Sequence, residues 1–367
     1  MRLGVSRALV EGRLVSGDVE VGLDGAVGAV GVLPPGRYGT AVAGFVDLQV
    51  NGFAGVDFLA ADGDGYEDAG RAMAATGVTA YQPTFITSPP EQYRRALATV
   101  ASLGEATGGP RLLGVHLEGP FLSPARRGAH NPAFLRAPHA GLVEELLASG
   151  VVSYMTLAPE LPGAVELIRK LVARGIVVSL GHSDASAAEA HTGFDAGATT
   201  VTHLFNAMPR LRHREPGLAG VALARNDVVV QAIVDNVHLA PETTLLAFRA
   251  AQGRFAVVTD AIEAAGLGSG RHRIGDREVV VDGLEVRLAD GTLAGSVLTM
   301  DAAVRNLIEV GVSLDDAVAA ATAVPAGLVG RPDLGVLVPG AMADVVVLDD
   351  SLLPVRTLTG GVETFAA

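Results

Sequence analysis

The chain has 367 residues, of which 49% are hydrophobic and 18% are charged, and its formal net charge is −13. This length suits one α/β barrel with a small appendage, and so apolar a composition excludes a disordered chain. The absence of cysteine excludes disulfides, a cysteine nucleophile and a cysteine-ligated structural zinc site. The negative charge disfavours nucleic acid as a partner.

The N-terminal stretch MRLGVSRALVEGRLVSG has charged residues inside any apolar segment, which is not typical of a signal peptide. The sequence has no uninterrupted apolar run of the roughly 18 residues that a membrane span needs. We therefore expect a cytoplasmic protein without a membrane partner.

Both ends of the chain predict short β-strands. Residues 1–42 contain valine-rich pieces broken by glycine and aspartate, and residues 339–367 contain the similar piece GAMADVVVLDD. Residues 43–338 instead alternate strand-like and helical stretches. We expect one small discontinuous β-sandwich domain formed by both chain ends, with residues 43–338 forming the main domain.

Within the main domain, eight strand-like runs alternate with alanine-rich helical stretches. This alternation predicts an α/β fold of the (β/α)8 TIM barrel type. Residues 272–291 predict a hairpin inserted after the eighth strand. The eight runs lie near residues 42–50, 78–83, 111–118, 151–157, 176–182, 199–203, 228–235 and 255–260.

Polar and ionisable residues stand at the ends of most of these runs, where a TIM barrel carries its active site. Alternation along the fifth run places His182 on the face of Val178 and Leu180, which we expect to line the lumen. We expect His182, His203 and Glu118 to converge there, because one carboxylate and two imidazoles leave open the coordination position that a catalytic divalent metal requires. The other polar strand ends are Gln49, Asn51, His116, Asp235 with His238 just beyond it, and Asp260.

Each of these residues taken alone has a simpler structural explanation. A single histidine at a strand end is more often a hydrogen-bonded structural residue, and a glutamate before Gly-Pro often orders a loop. Asp260 could cap the helix that follows it, and Ser183 or Asp184 is expected to cap the helix after SLGH. The metal site is favoured because several independent strands end in metal-binding residue types.

Six motifs occur in order along the chain: HLEGPFLSPARRGAHNP, SLGHSDA, VTHLFNAMP, REPGLAG, VTDA and LAGS. Together they resemble the N-acetylglucosamine-6-phosphate deacetylase family of the amidohydrolase superfamily, from about Gly44 to the C-terminus. The first motif joined with THLFNAMP is specific to that family, whereas LAGS alone is not. The resemblance implies a barrel with a small β-sandwich, and a divalent metal held by Glu118, His182 and His203.

The first strand departs from the pattern of many superfamily members, which begin it with His-x-His and bind two metals. Here the same position has Gln49, Val50 and Asn51. Amide side chains are poor zinc ligands, so the sequence resembles the branch that binds one divalent metal per subunit. Zinc is the usual metal of the family. Fe²⁺ or another divalent metal, and a weak second site near Gln49 and Asn51, stay open.

The resemblance implies hydrolysis of the acetamide of N-acetyl-D-glucosamine 6-phosphate, an amino-sugar phosphate, to D-glucosamine 6-phosphate and acetate. Asp260 would move protons to and from the water that the metal activates, and His130 would hold the acetyl carbonyl. Arg214 would contact the phosphate, since a guanidinium can bind phosphate oxygens in pairs. A homodimer is expected, with some phosphate contacts crossing the interface. The remaining substrate contacts carried over from the family are Ala129, Asn206, Ala207, His238, Leu293, Ala294 and Gly295.

Other functions are compatible with the sequence. Deacetylation of N-acetylgalactosamine 6-phosphate differs only in the orientation of one substrate hydroxyl. A metal-dependent sugar-phosphate aldolase or lyase could use the same residue types at the barrel rim, but it would release no acetate. The presence of the whole predicted site argues against a binding protein built on an inactive barrel.

Overall fold

Eight parallel strands close into a barrel in the computed structural model, which describes residues 1–104 and 108–367. Each strand pairs with the next in chain order. The first strand meets the end of the eighth through a 2.8 Å hydrogen bond from the Asp260 N–H to the Gln49 carbonyl oxygen. The predicted fold class and all eight predicted strands are therefore confirmed. The strands are Phe45–Val50, Val78–Ile86, Val115–Glu118, Val152–Leu157, Val177–Leu180, Thr200–Val201, Val229–Ala232 and Phe255–Val257.

A helix follows each barrel strand, and two more complete the main domain. The helix Ala164–Val172 buries positions 164, 167, 168 and 171, the spacing that gives an α-helix one apolar face. Among residues 1–104 and 108–367, no helix has both the length and the apolar composition needed to cross a membrane. The remaining helices are Gly63–Ala74, Pro90–Leu103, Ala140–Leu147, Ala187–Asp195, Gly217–Ala224, Pro241–Ala250, Met300–Glu309, Leu314–Ala321 and Ala323–Leu328, with 3₁₀ turns at Pro124–Arg126 and Pro132–Phe134.

The small β domain takes strands from both ends of the chain, as predicted. Its six-stranded sheet has a hydrophobic core separate from that of the barrel, and a two-stranded sheet of Asp18–Val21 and Val27–Val32 packs with it. The domain boundaries at 42/43 and 338/339 stay a prediction, and the strand Tyr38–Ala43 runs across the first of them. In spatial order, the six strands are Arg13–Ser16, Val5–Val10, Tyr38–Ala43, Val345–Leu348, Pro354–Thr359 and Val362–Ala366.

The insertion after the eighth strand is larger than the predicted hairpin. It contains three antiparallel strands, Gly270–Ile274, Arg277–Asp282 and Glu285–Arg287. A short pair of strands, Gly52–Phe53 and Val56–Asp57, follows the first barrel strand. Both additions follow barrel strands at the end where an active site is expected.

A row of hydrogen-bonded polar side chains links four barrel strands below the rim. His116 Nδ1 lies 3.1 Å from the Leu48 carbonyl oxygen, which can only accept, so Nδ1 carries the proton. His116 Nε2 therefore accepts from the Thr156 hydroxyl at 2.8 Å, and Thr156 accepts from Thr202 at 2.8 Å. Ser179 donates to Thr202 at the end of the row. These bonds hold the third, fourth, fifth and sixth strands in a fixed register.

A buried ion pair joins the barrel to the small domain. Arg111, where the chain approaches the third barrel strand, lies 2.8 Å from Asp344, and their side chains are 14% and 2% exposed. The Asp344 carboxylate also accepts from the Gly360 N–H at 2.6 Å. Removing the guanidinium would leave a buried carboxylate with its main counterion gone.

We expect Arg111→Ala to lower the free energy of unfolding by about 3 kcal/mol, because the Asp344 charge would stay buried without its cation. Arg71→Ala is the matched control, since Arg71 and Asp68 form an ion pair whose side chains are 69% and 68% exposed. Exposed pairs contribute about 0–1 kcal/mol. Denaturant unfolding followed by circular dichroism compares the two variants, and equal small losses would contradict the predicted role of Arg111.

Candidate metal centre and active site

A cavity of about 330 Å³ opens at the C-terminal ends of the barrel strands. Eleven of the thirteen predicted site residues line it. The two exceptions are Ala294, which is buried, and Arg214, which is exposed on the loop before the helix Gly217–Ala224. The lining residues that the sequence predicted are Glu118, Ala129, His130, His182, His203, Asn206, Ala207, His238, Asp260, Leu293 and Gly295.

The three predicted metal ligands meet in this cavity. Glu118 Oε1 lies 3.2 Å from the Nε2 atoms of both His182 and His203, and those two nitrogens are 3.0 Å apart. With metal–ligand bonds of about 2.0–2.2 Å, two ligand atoms of a tetrahedral zinc site lie roughly 3.3–3.6 Å apart. The three atoms therefore form a triangle of nearly the size that one zinc-like cation requires.

The His182 side chain points into the cavity from a different face of its strand than the sequence predicted. We expected His182 to share a lumen-facing side with Val178 and Leu180, and that expectation is wrong. A Cβ atom on Gly181 would lie 2.8 Å from Thr202 Cβ, so residue 181 faces the lumen. Leu180 instead packs against the following helix, where a Cβ atom on Gly193 would lie 2.9 Å from Leu180 Cδ1.

A left-handed backbone conformation breaks the alternation at the strand ends. The φ angles of His182, His203 and Asp260 are 48°, 30° and 49°. Non-glycine residues adopt such angles at a cost of about 1–3 kcal/mol each, and these conformations concentrate at functional sites. The turn at each position directs the side chain over the barrel mouth, although strict alternation would point it toward the helices.

The helix after SLGH is capped by a different residue from the one predicted. Ser186 is the N-cap, and it forms a capping box with Glu189. Ser183 and the backbone N–H of Asp184 bind Glu160 instead, at 2.8 and 2.6 Å. The segment between His182 and the helix is thus longer than the sequence suggested.

A hydrogen bond to the far side of the His182 imidazole favours metal binding. His182 Nδ1 lies 2.9 Å from the Arg126 carbonyl oxygen, so it carries the proton and leaves the Nε2 lone pair free. His203 Nδ1 is buried without a partner among the described residues. Two imidazole nitrogens held 3.0 Å apart can both direct lone pairs at a shared cation, and the donor set therefore fits a divalent metal.

His130 also approaches this group, with its Nε2 3.4 Å from Glu118 Oε2. Its Nδ1 accepts from the Thr87 backbone N–H at 3.3 Å and lies 2.8 Å from the Thr87 hydroxyl. Because an accepting Nδ1 has no proton, Nε2 carries it and lacks the lone pair that a ligand needs. We therefore expect His130 to act as a hydrogen-bond donor in the cavity.

Burial and charge shift the pKa values of the central groups. Burial would raise the pKa of Glu118, but the charge of His182 in its doubly protonated form and hydrogen bonds from the neighbouring histidines hold that pKa well below its ordinary value. Burial, followed by the nearby charge of His182, lowers the pKa of His130 to about 4. Burial, followed by the charge of Glu118, raises the pKa of Asp260 to about 7. A cation at the three ligands would offset the repulsion between the two carboxylates.

Gln49 and Asn51 occupy the place where a second metal was left open. Asn51 Nδ2 donates to Asp260 Oδ1 at 2.7 Å, and Gln49 Nε2 donates to Glu118 Oε1 at 2.9 Å and to Asp260 Oδ1 at 3.2 Å. Ionised carboxylates only accept, so the amide nitrogens must face them. The amide N–H groups of Gln49 and Asn51 that face the two carboxylates cannot ligate a cation. This orientation agrees with a site that binds a single metal.

His238 lines the far side of the cavity and is held by Asp235. His238 Nδ1 lies 2.7 Å from Asp235 Oδ2, and Asp235 Oδ1 accepts the backbone N–H groups of residues 237 and 238 at 2.8 and 2.7 Å. The carboxylate fixes the ring so that Nε2 is the atom free to meet a ligand. A histidine oriented in this way can meet a polar group of a bound ligand through Nε2.

Several lining residues were not predicted from the sequence. Arg126 lines the cavity and pairs with Asp184 at 2.7 Å. Three isoleucines add apolar surface. Ile86 could have been suspected, since it lies three residues beyond the second strand-like run, but the other two depend on how the insertion and the seventh strand fold. The isoleucines are Ile86, Ile233 and Ile274.

The fold and the residues of this site are typical of metal-dependent hydrolases of the TIM-barrel class. A match to the amidohydrolase family covers residues 40–365. The human N-acetylglucosamine-6-phosphate deacetylase is 43% identical over 333 residues, which cover 87% of this chain and 81% of the human protein. This chain belongs to the amidohydrolase family.

Two further relatives show the range of this similarity. The N-acetylgalactosamine-6-phosphate deacetylase of Escherichia coli O157:H7 is 37% identical over 313 residues, covering 84% of this chain and 83% of that protein. A solved structure of a mutant N-acetyl-D-glucosamine-6-phosphate deacetylase from Mycobacterium smegmatis contains N-acetyl-D-glucosamine-6-phosphate. It is 34% identical, has a TM-score of 0.93, and the match covers 99% of this chain and 98% of that one.

Metal content distinguishes ligands from neighbouring groups. We expect His203→Ala to lose most of its bound metal, because it removes one of three ligand atoms, whereas His130→Ala should keep about one equivalent. Elemental analysis after dialysis against a weak chelator makes the comparison. If His130→Ala loses the metal and His203→Ala retains it, the ligand set is Glu118, His130 and His182 instead.

Proposed function

We propose that this protein hydrolyses the acetamide of N-acetyl-D-glucosamine 6-phosphate, giving D-glucosamine 6-phosphate and acetate. The observation that carries the proposal is the convergence of the Glu118, His182 and His203 ligand atoms within 3.2 Å, beside Asp260, in one cavity. The names of the relatives support it, as does the sugar phosphate bound to the Mycobacterium smegmatis enzyme.

Glu118, His182 and His203 would hold one divalent metal per subunit. Two imidazoles and one carboxylate form a set found at catalytic zinc sites, so zinc is the metal proposed, with Fe²⁺ as the alternative. When bound, the metal would lower the pKa of a water molecule and polarise the acetyl carbonyl. Metal analysis of the purified protein separates zinc from iron.

Asp260 is the proposed proton carrier. Its Oδ1 is occupied by Asn51 and Gln49, which leaves Oδ2 to take a proton from the attacking water and pass one to the amine. A carboxyl group whose pKa lies near neutrality can do both, and burial followed by the charge of Glu118 raises the pKa of Asp260 to about 7. Protonating the amine matters because an amide nitrogen is otherwise a poor leaving group.

His130 is the proposed donor to the acetyl oxygen. Thr87 fixes its tautomer so that the Nε2 proton faces the cavity. A fixed N–H at a developing oxyanion is worth more than one in water, because the site is buried and the donor needs no reorientation. Removal of one such donor costs about 10²–10³-fold in turnover in other hydrolases.

The sugar phosphate would extend toward Asn206, Ala207 and His238. Arg214, the predicted phosphate contact, does not line the cavity of its own chain. We therefore assign Arg214 to the phosphate of a second subunit's substrate, which makes the enzyme a homodimer. Local positive charge of this kind would offset the net charge of −13, which repels an anionic substrate at long range. A cytoplasmic location stays a prediction from the sequence.

Acetate release tests the reaction and its alternatives together. We expect acetate and a free amine from N-acetyl-D-glucosamine 6-phosphate, with lower kcat/KM for N-acetyl-D-galactosamine 6-phosphate. The sequence identity is higher to the human N-acetylglucosamine-6-phosphate deacetylase than to the N-acetylgalactosamine-6-phosphate deacetylase of Escherichia coli O157:H7. Higher turnover of the galacto sugar would favour the second candidate. Carbon–carbon cleavage without acetate would show a lyase.

We expect Asp260→Asn to lower kcat by about 10²–10⁴-fold, since the amide cannot shuttle protons. The substitution preserves shape, and its carbonyl oxygen can still accept from Asn51 and Gln49. Metal content, measured on the same preparation, should stay near one equivalent. Near-normal turnover in a metal-loaded variant would refute the assignment.

Arg214→Ala should raise the KM for the phosphorylated substrate by about 10–100-fold, because a charge-assisted hydrogen bond is lost. Arg212→Ala, two positions away on the same exposed loop, removes the same charge and should have a much smaller effect. Unphosphorylated N-acetyl-D-glucosamine serves as the second comparison. If its hydrolysis suffers equally in Arg214→Ala, the residue does not bind phosphate.

A further inference from the structure

Two isoleucine side chains form an apolar wall on one side of the cavity. Ile86 ends the second barrel strand, directly beside Glu118 in the register of that strand pair. Ile274 ends the first strand of the inserted sheet. Both are only 5% exposed, and both line the cavity that contains the candidate metal ligands.

The wall is continuous between these two residues. A Cβ atom on Gly275 would lie 3.0 Å from Ile86 Cγ2, so the turn after Ile274 sits on Ile86. A Cβ atom on Gly295 would lie 3.6 Å from Ile274 Cδ1 and 3.0 Å from the Asp260 carbonyl oxygen. The apolar surface therefore runs from the end of the second barrel strand to the end of the eighth.

Hydrogen bonds on both sides of Ile274 fix this wall to the barrel rim. Asn131 Nδ2 donates to Asp276 Oδ2 at 2.6 Å, beyond the turn. The Arg273 backbone N–H donates to Glu263 Oε1 at 2.9 Å, just before Ile274. The inserted sheet is thus tied to two loops that follow barrel strands, and it holds Ile274 against the cavity.

The chemistry of an N-acyl amide assigns a surface of the cavity to each substituent of the carbonyl carbon. The oxygen must face His130 and the metal ligands, and the nitrogen must lie near Asp260. The sugar and phosphate extend toward Asn206 and His238. The acyl chain is the one apolar substituent, and the isoleucine wall spans the gap between the groups that hold the oxygen and the nitrogen.

We infer that Ile86 and Ile274 determine the length of the acyl chain and restrict the enzyme to acetyl groups. The inference rests on the proposed deacetylase function. A methyl group can pack on the wall, whereas each further methylene would require a packed isoleucine to move. One methylene in an apolar pocket changes kcat/KM by about 10–200-fold.

The test compares N-acetyl- and N-propionyl-D-glucosamine 6-phosphate as substrates, with release of the free amine as the readout. We expect the wild-type protein to prefer acetyl by about tenfold or more. Ile86→Ala and Ile274→Ala should each lower that preference by about tenfold. Ile86→Val and Ile274→Val should lower the preference for acetyl a few fold. These smaller substitutions test the inference if an alanine variant does not fold.

Ile233→Ala is the matched control, because Ile233 lines the same cavity but follows the seventh barrel strand. It should change kcat/KM for both substrates by the same factor. An unchanged preference in every folded Ile86 and Ile274 variant would overturn the inference, as would an equal shift in Ile233→Ala. A wild-type protein that releases neither acyl group would contradict the proposed function as well.

Discussion

The site depends on holding one carboxylate oxygen and two imidazole nitrogens within 3.2 Å of one another in a buried place. The groups come from three strand ends that are far apart in the chain, and only a closed barrel brings them together. With its Nδ1 protonated, His182 directs the Nε2 lone pair toward the ionised Glu118 carboxylate, and these two groups cannot stabilise each other. A cation is the partner that satisfies all three, and the proposed chemistry follows from its position.

The barrel below the site is built to keep those strand ends in place. The hydrogen-bonded row of Ser179, Thr202, Thr156 and His116 runs across four strands. Thr202 directly precedes one candidate ligand, and His116 stands two residues before another. Burial lowers the pKa of His116 to about 4, which keeps the ring neutral and able to accept from Thr156. The row of neutral hydrogen-bonded side chains therefore holds the strands that carry the candidate metal ligands, and it does not form a second charged site.

The eight strands could be predicted because strands buried on both faces give short, continuous apolar runs between glycines and helical segments. The candidate metal ligands could be proposed because their residue types stand at strand ends. The orientation of their side chains could not be predicted, because the left-handed backbone at His182 breaks the alternation of side chains along the strand. The three-stranded insertion and the exposed position of Arg214 depend on tertiary packing, which no local pattern encodes.

Two amide side chains at the end of the first strand stand where a second cation was left open by the sequence. Gln49 and Asn51 donate hydrogen bonds to Glu118 and Asp260, where a second cation could otherwise neutralise those carboxylates. Their own carbonyl oxygens are buried without partners among the described residues. Neutral donors can thus hold Asp260, the proposed proton carrier, in place while one oxygen of its carboxylate stays free. In the proposed mechanism, the amides would position Asp260, and activation of water would be left to the metal.

X-ray absorption spectroscopy of the zinc-loaded protein tests the central arrangement most directly. Glu118, His182 and His203 predict scattering from two imidazole rings, together with oxygen ligands, around a single zinc ion at about 2.0–2.2 Å. Scattering from three imidazole rings would place His130 in the ligand set, and scattering from none would contradict the metal site altogether.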